Sequence, residues 1–382
     1  MPRNMDFDAK YRAGDAAPFH QKNEMYKRVR WDPELIQLGR NYYGVVEPND
    51  KPGFRHQDIA FRNASWFVEM GFARGVIENN FGLYDWNDRL FQMAEMPMDP
   101  PWEEETPSYH SLMVKKAAKF YGADLVGICR MDRRWVYTGG YELVKRHEYD
   151  IDISDEYTHV IVLGFAMSYE DYKYTPTFIG GAATGLGYSK MAYTAGLTAQ
   201  FLRGIGYKAI PTGNDTALSI PYAVQAGLGE LGRNGLLITP KYGPRVRLAK
   251  IFTNLPMECD TPIEFGVTEF CEHCNKCADN CPPRAISRGD RNVEPVNVSN
   301  AGGTLKWYLN GEKCFKFWAA NTCDCGNCVR VCPFNKPDGW LHDGSRWFIE
   351  KASALNKLFV KVDDWLGYGE QGDLETYWDR EE

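Results

Sequence analysis

The sequence predicts a protein of the α/β (α+β) class, in which a cysteine-rich domain is inserted into a core of strands and helices. One observation is that short apolar runs alternate with helical segments between residues 107 and 265, as in layered α/β sheets. The other is that nine of the eleven cysteines lie between residues 271 and 332. With 382 residues, the chain is long enough for a core that needs no disulfide bonds.

Hydrophobic periodicity and breaker residues place the elements of this core. Helices are predicted for SLMVKKAAKFYG (111–122), SKMAYTAGLTAQFLRGIGY (189–207) and IPYAVQAGLGELG (220–232), and strands for DLVGICR (124–130), HVIVLGFAM (159–167), KAIPT (208–212) and VRLAKIFTN (246–254). Outside the core, residues 64–80 show helical periodicity, and residues 346–367 have the pattern of one amphipathic helix. These elements predict a layered sheet with helices packed on it.

Four segments follow from this pattern. The prolines and acids of MPMDPPWEEETP (96–107) mark a boundary, because they oppose regular structure. We therefore predict an N-terminal region, a core, a cysteine-rich insert and a C-terminal helical closing segment, at residues 1–106, 107–265, 266–336 and 337–382.

Charge, apolar run length and motif content argue against several classes of protein. The net charge of -7 argues against nucleic-acid binding, which needs basic patches. No apolar run reaches the roughly 18–20 residues of a membrane span. A P-loop and a CxxCH haem motif are missing from the sequence. The nearest match to a Rossmann dinucleotide motif, GLGELG (227–232), lies at the end of a predicted helix and leads into an apolar strand, so a dinucleotide site is not supported. Aromatic residues make up 14% of the chain, which suits the wall of an apolar or flat ligand.

The cysteine spacing predicts two [4Fe–4S] clusters. One run holds Cys271, Cys274, Cys277 and Cys281 before Pro282, and the other holds Cys325, Cys328 and Cys332 before Pro333, with Cys314 eleven residues ahead. In the two-cluster ferredoxin pattern, the fourth cysteine of each run binds the other cluster. The first cluster then takes Cys271, Cys274, Cys277 and Cys332, and the second takes Cys281, Cys314, Cys325 and Cys328.

Two alternatives bear on these cysteines. Paired CxxC motifs also form tetrahedral zinc sites, but eight thiolates in two runs that end in Cys-Pro fit two iron–sulfur clusters better. Cys323 rivals Cys314 as the last ligand, although its place two residues from Cys325 is sterically awkward. Cys129 lies in an apolar strand and is predicted to be a core residue, while Cys259 has no assigned role.

From residue 107 onward, an ordered set of motifs identifies a family. GYSKMAY (187–193), AIPTGND (209–215), YAVQAGLGELGRNGLLITP (222–240) and YGPRVRLAKIFTNLP (242–256) precede the double cysteine motif. GADLVGICRMDRRWVY (122–137) and LHDGSRW (341–347) extend this set. In this order the chain resembles the respiratory reductive dehalogenases that act on chlorinated aliphatic compounds.

The resemblance implies a nitroreductase-like, corrinoid-binding core in which the corrinoid (cobalamin) is bound with its lower base detached and is reduced through the two clusters. The chain has no DxHxxG motif to supply a histidine to cobalt, which agrees with this expectation. The glycine-rich segments near Gly187 and Gly232 (180–187 and 226–235) are candidates to hold the corrinoid, because glycine lets the backbone approach a ligand closely.

Four site residues follow from the resemblance. Tyr188 matches the family's tyrosine proton donor, and Arg247 matches the arginine beside it, with Arg245 as the alternative. A neighbouring guanidinium stabilises the phenolate that remains after donation. Asn214 matches the asparagine near the reacting halogen, and Trp307 matches a tryptophan of the substrate pocket. The resemblance also implies that the N-terminal region, residues 1–106, contributes to this pocket.

The predicted function is therefore reductive removal of halide from a small organohalide, such as a chlorinated ethene, ethane or methane. The alternatives are an enzyme like epoxyqueuosine reductase and a non-catalytic iron–sulfur electron carrier or corrinoid-handling protein. The family also implies a small membrane-anchor protein as partner and export to the outer face of the cytoplasmic membrane. A homodimer is a further possible assembly. No twin-arginine signal is present, so we expect a processed or engineered form rather than a cytoplasmic relative.

Overall fold

The structure is a computed structural model that describes residues 2–73, 82–87, 89–94, 106–143, 146–337 and 356–379. Its α-helices are α1 (Phe7–Tyr11), α2 (Met25–Trp31), α3 (Ile36–Tyr43), α4 (His56–Ser65), α5 (Phe67–Phe72), α6 (Pro107–Phe120), α7 (Tyr169–Tyr172), α8 (Phe178–Gly204), α9 (Ser219–Gln225), α10 (Val267–His273), α11 (Lys276–Asp279), α12 (Gly311–Asn321), α13 (Asn327–Arg330) and α14 (Asn356–Trp365). Its strands are β1 (Arg3–Asn4), β2 (Leu125–Arg130), β3 (Gly140–Glu142), β4 (His147–Tyr149), β5 (His159–Ala166), β6 (Ala209–Thr212), β7 (Glu230–Leu231), β8 (Leu237–Ile238), β9 (Val246–Thr253) and β10 (Ile263–Glu264).

A four-stranded antiparallel sheet in the order β2–β5–β9–β6 forms the centre of the core. Strand β5 is buried on both faces. Val160 and Val162 belong to the cluster on one side of the sheet, and Ile161 and Leu163 belong to the cluster on the other side. This alternation follows from the two-residue period of a strand. The predicted core strands and the helix at 111–122 are confirmed, with shifts at their ends.

Helices cover both faces of the sheet. The long helix α8 and helix α6 lie on one face, whereas the short helix α9 lies on the other. Apolar α8 residues such as Met191, Ala195 and Leu202 are completely buried there. The helix ends near Gly206, whose φ of 90° is favourable for glycine and whose N–H bonds to Arg203.

Two predicted helix boundaries were wrong. Helix α8 begins at Phe178, so the glycine-rich residues 180–187 are helical rather than a ligand-binding loop. Close packing of α4 against α8 offsets the poor helix propensity of glycine. Helix α9 ends at Gln225 instead of 232, because Gly227 takes a φ of 71° and the chain turns into β7.

The helical pattern at 64–80 corresponds, in its described part, to the end of α4 and to α5. Residues 74–80, most of the predicted boundary at 96–107 and the LHDGSRW motif lie outside the described residues. The boundary's last two residues, Thr106 and Pro107, begin α6 as its N-cap and first residue. Of the predicted tail helix, residues 356–365 are described and helical.

The cysteine-rich insert consists of loops and the short helices α10 to α13. Small apolar clusters hold it together, and the cysteines themselves are members of these clusters. The N-terminal strand β1 pairs with β10 just ahead of the insert, with Arg3 opposite Glu264. Among the described residues, no helix combines the length and the apolar character that crossing a bilayer requires.

Candidate active site and cysteine centres

Tyr188, Asn214 and Arg247 lie together because their elements cross at the sheet. Tyr188 is in the middle of α8, Arg247 is the second residue of β9, and Asn214 follows β6. The Nδ2 of Asn214 donates to the Tyr188 hydroxyl oxygen over 2.8 Å. The Arg247 guanidinium carbon lies 5.2 Å from the centre of the Tyr188 ring. The structure thus brings three of the four predicted residues into one group.

Glycine at 187 makes room for Arg247. A Cβ atom at this position would lie 2.9 Å from Cγ of Arg247, so a larger residue would push the arginine away. The Nε of Arg247 lies 3.3 Å from the sulfur of Met167. Arg245, the alternative, donates to the Met167 carbonyl over 2.8 Å and lies against the rings of Tyr169 and Tyr242. Arg247 is therefore the arginine that faces Tyr188.

The Asn214 loop is held from below by a buried lysine. Lys250 on β9 is completely buried, and its ammonium group donates to the Gly213 carbonyl and, over 2.7 Å, to the Ser219 hydroxyl. Burial lowers the pKa of Lys250 to about 8, against the opposing effect of Asp215. These bonds fix both ends of the loop and so orient Asn214 toward Tyr188.

Sequence reasoning missed an aromatic contact with the proposed donor. Trp66, between α4 and α5, stacks on Tyr188 with ring centres 4.7 Å apart and planes inclined by 23°. Gly185 of α8 lies against the same indole and would collide with it if it carried a side chain. The small residue at 185 was the only sequence signal for this close approach.

Two glutamates near this group were also missed. Tyr137 donates to Glu24 over 2.6 Å, and Tyr84 donates to Glu69 over 3.5 Å. Burial raises the pKa of Glu24 to about 7 and that of Glu69 to about 8, and the nearby carboxylate of Asp215 raises both. Such acids still hold protons near neutral pH.

A cavity of about 750 Å³ connects these residues. Tyr188, Asn214, Glu24 and Glu69 line it, and so does Trp307 of the insert, the fourth predicted site residue. Trp307 is only 3% exposed, and its Nε1 donates to the Gly289 carbonyl over 2.9 Å. A volume in this range suits a cofactor-sized ligand and exceeds what a two-carbon halide needs.

The cavity wall consists of apolar surface and a few polar side chains. Trp135 lines it, and its buried Nε1 has no hydrogen-bond partner among the described residues. Lys306 lines it as well, and burial alone lowers the pKa of this lysine to about 8. Among the described residues no acid pairs with Lys306, whose Nζ donates to the Ala301 carbonyl over 3.0 Å, and this positive charge suits a ligand rich in acceptors.

The glycine-rich segments do not supply this wall as predicted. Residues 182–187 lie inside α8, where their backbone N–H groups belong to the helix. The N–H of Gly232 donates to the Leu236 carbonyl. Only the end of the second segment reaches the cavity, through Leu231 and Gly235. The amides of Gly187 and Gly232 are thus engaged within the protein, while a corrinoid contact by the second segment stays a prediction.

The first predicted set of cluster ligands surrounds a second, small cavity. Cys271, Cys274, Cys277 and Cys332 all line this space of about 20 Å³. Burial raises the pKa of Cys277, and the thiols of Cys271 and Cys332 raise it further. Four thiols around one space suit a shared iron–sulfur cluster, whose iron atoms bind them as thiolates.

The second set comes together around Cys314. Burial first, and then the nearby thiols of Cys325 and Cys281, raise the pKa of Cys314 to about 12. Cys328 is influenced by the same three thiols. Cys323 is completely buried and donates to the Asp324 carbonyl over 3.4 Å. Cys314 thus joins the group, whereas Cys323 turns toward Asp324.

Cys129 lies outside both sets of cysteines. It is 4% exposed and belongs to the core, as predicted.

A site for a single metal ion was also sought. In the described ranges, no three His, Cys, Asp or Glu side chains are arranged to hold one metal ion.

Comparison with known proteins gives the family of this chain. Residues 270–336 match the model of 4Fe-4S dicluster domains. The tetrachloroethene reductive dehalogenase of Sulfurospirillum multivorans is 37% identical over 378 residues, which cover 91% of this chain and 75% of the relative. The enzyme of the same name from Dehalobacter restrictus is 40% identical over 326 residues, covering 75% of this chain and 59% of the relative.

A solved structure agrees in fold. The chain described under "Reductive dehalogenase structure suggests a mechanism for B12-dependent dehalogenation" aligns with a TM-score of 0.72 at 24% identity, over 94% of this chain and 47% of that one. The chain thus spans about half the length of this structural relative. An epoxyqueuosine reductase from Listeria monocytogenes is similar over only 31% of the chain. This chain belongs to the reductive dehalogenase family.

Proposed function

We propose that this protein is a reductive dehalogenase that removes chloride from a small chlorinated alkene such as tetrachloroethene. The overall reaction takes up two electrons and one proton, replaces a carbon–chlorine bond by a carbon–hydrogen bond, and releases chloride. Family membership and the substrate named for the relatives in S. multivorans and D. restrictus support the substrate class. The single observation that carries the proposal is a tyrosine with an asparagine and an arginine at a cavity beside two sets of cysteines.

Tyr188 is the group that supplies the proton. Because Asn214 donates to its oxygen, the hydroxyl hydrogen of Tyr188 is free to be given to carbon. The same bond remains after the proton has left and stabilises the phenolate, as the Arg247 charge near the ring does. A positioned acid of this kind typically contributes 10²–10⁴-fold to rate.

A corrinoid fits the cavity by volume and by the character of its wall. Lys306 lines the cavity, and its ammonium group, which also donates to the Ala301 carbonyl over 3.0 Å, supplies a positive charge for a ligand with phosphate or amide oxygens. When bound, the corrinoid would supply a cobalt ion that takes up electrons and, once reduced, gives them to the carbon–halogen bond. The chain itself orients the ligand, excludes water with its aromatic wall, and holds a proton at the Tyr188 oxygen.

Electrons are expected to arrive through the cysteine centres. Leu309 lines the cavity and packs against the buried cluster that contains Cys281 of the second set, and Cys314 and Cys328 pack against the same cluster. On the other side, Gly235 lines the cavity, and its neighbour Asn234 lines the space between the first four cysteines. The two proposed clusters therefore adjoin the cavity through single layers of side chain or backbone.

The test is chloride release under anaerobic conditions. The full chain is reconstituted with iron, sulfide and corrinoid, reduced with methyl viologen, and supplied with chlorinated ethenes, ethanes and methanes. We expect release that requires the corrinoid and falls at least about 100-fold in Tyr188→Phe. Tyr193→Phe is the matched control, since Tyr193 lies on the same helix and is 51% exposed.

Two outcomes would contradict the proposal. Bound corrinoid without chloride release from any compound would exclude dehalogenation and favour an electron carrier. Undiminished release by Tyr188→Phe would leave the activity standing but remove Tyr188 as the proton donor.

We also propose that the protein works at the outer face of the cytoplasmic membrane, held there by a small anchor protein, and that it can form a homodimer. Family membership is the support for this location and these partners. Cell fractionation with protease treatment of intact cells tests the location, and native mass spectrometry of the purified protein tests the assembly. Protein that is found only in the cytoplasm, and is therefore protected from protease in intact cells, would contradict this location.

A further inference from the structure

Arg233 is a buried cation beside the first set of cysteines. It follows β7, is only 3% exposed, and lines the same small cavity as Cys271, Cys274, Cys277 and Cys332. Its guanidinium donates to the Cys271 carbonyl through Nε and Nη2, over 2.9 and 2.7 Å. Nη1 donates to the carbonyls of Ser287 and Gly289, over 2.8 and 2.9 Å. The planar fork of arginine matches this set of acceptors, so the charge is fixed in place.

Neutral carbonyls satisfy the hydrogen bonds of Arg233 but leave its charge uncompensated. Among the described residues, no carboxylate forms an ion pair with it. The other buried cations near these cysteines differ, because Lys276 and Lys336 both pair with Asp363. A buried charge without a counter-charge is costly, and it therefore points to an anion that the protein binds next to it.

The anion that fits this position is the cluster itself. A [4Fe–4S] cluster with four thiolate ligands is negative and becomes more so when it accepts an electron. We propose that Arg233 raises the reduction potential of the cluster held by Cys271, Cys274, Cys277 and Cys332, and so favours its one-electron reduction by a low-potential donor. Net charge, hydrogen bonding and solvent exposure are the established means by which proteins set such potentials.

Arg233 also connects this cluster to the large cavity. The indole of Trp307 lies 4.7 Å from its guanidinium carbon and forms part of the cavity wall. Arg233 and Trp307 Nε1 donate to the same Gly289 carbonyl. The Arg233 charge thus lies between the Cys271 carbonyl and the cavity. In the proposed function, on which this step rests, electrons move from the clusters to the cavity through this region.

Arg291 offers a matched control on the same indole. Its guanidinium carbon lies 5.8 Å from the Trp307 ring, but it pairs with Glu272 over 3.7 Å and donates to the Lys10 carbonyl. Its charge is therefore already compensated, and its removal should have little effect on the cluster.

The experiment is a redox titration of the holoenzyme, followed by EPR of the reduced clusters and of cobalt. Arg233→Gln keeps a donor but removes the charge, Arg233→Lys keeps the charge, and Arg291→Gln is the control. Arg233→Met is a second neutral variant in case the Gln variant loses iron. Iron content and circular dichroism establish that each variant is folded and loaded.

We expect Arg233→Gln to make the reduction of one cluster about tenfold less favourable, which equals about 59 mV for one electron. The other cluster should change less than about threefold, as should both clusters in Arg233→Lys and Arg291→Gln. Unchanged potentials in both neutral variants would overturn the proposal. An equal fall in Arg233→Lys would assign Arg233 a structural role instead. Because the titration does not depend on chloride release, the inference can fail while the proposed function holds, and the reverse.

Discussion

The two sides of the site differ in their ionisable groups. Around Tyr188, the cations Arg247 and Lys250 are accompanied by the acids Glu24 and Glu69, whose pKa values burial raises to about 7 and about 8. Beside the first set of cysteines lies Arg233, which forms no ion pair with a carboxylate among the described residues, whereas Lys276 pairs with Asp363. Acids that keep their protons at neutral pH suit a region that must deliver a proton. Fixed positive charge suits a region that must receive electrons.

The largest expected effect separates the two rival cysteines on the electron side. Cys314→Ser should lose about four of the eight irons, because one corner of a four-cysteine cluster is removed, and with them nearly all chloride release. Cys323→Ser should keep them, since this thiol bonds to Asp324. Iron analysis and EPR of both variants provide the measurement. Loss of iron in Cys323→Ser but not in Cys314→Ser would make Cys323 the cluster ligand in place of Cys314.

On the proton side, Asn214→Ala should lower kcat about 100-fold, by analogy with the loss of one donor to a developing anion. The variant loses the 2.8 Å bond to the Tyr188 oxygen, whereas Lys250 still holds the loop. Corrinoid content, read from the absorption spectrum, should remain unchanged. A rise in KM with unchanged kcat would instead show that Asn214 binds substrate and does not assist proton transfer.

Glu69→Gln should flatten the pH dependence of stability. The folded-state pKa of Glu69 is about 8, above the ordinary value of 4.5, owing to burial and then to Asp215, with Tyr84 opposing. The stability that this raised pKa contributes is full below about pH 4.5 and is lost as the pH rises through about 8. The gain in Tm of Glu69→Gln over the native protein should therefore grow across this range and level off above it. Glu34→Gln, at an exposed position, serves as control. A constant difference between pH 4.5 and 8 would disprove the shift.

The smallest effect compares two glycines on one helix. Gly187→Ala should displace Arg247 and lower activity several-fold, because the new Cβ would lie 2.9 Å from the arginine side chain. Gly204→Ala meets nothing within 4 Å and should stabilise α8 by up to about 1 kcal/mol without affecting turnover. Thermal unfolding and chloride release distinguish them. Equal activities would show that Arg247 can move without loss of function.

What could be predicted from sequence depended on how local each signal was. The dicluster segment is recognisable from the spacing of seven cysteines in two short runs, and the core strands follow from apolar runs of strand length. Cys314 lies outside these runs, so its assignment as a ligand stays a prediction. Trp66 and Glu24 could not be found in this way. Glu24 contacts Tyr137, which is 113 residues away in the sequence, and Trp66 and Tyr188 are separated by a similar number of residues. Because both contacts join distant segments, no local motif predicts them.

The glycine-rich segment at 180–187 shows a different kind of failure. Its composition favours a loop, because each glycine lowers helix propensity by about 1 kcal/mol. The deciding factor was packing, since Gly185 admits Trp66 and Gly187 admits Arg247. Small residues at these positions serve neighbours that are distant in sequence, which a local reading cannot weigh.

Helix α8 also ties the proton donor to the metal centres mechanically. Gly181 lies so close to Asp324 that a Cβ there would be 2.7 Å from the carboxylate. Asp324 directly precedes Cys325. Tyr188 stands seven residues further along the same helix, about 10 Å away. The segment that carries Cys325 is thus packed directly against the helix that carries Tyr188, so one element fixes the position of the acid relative to the second set of cysteines.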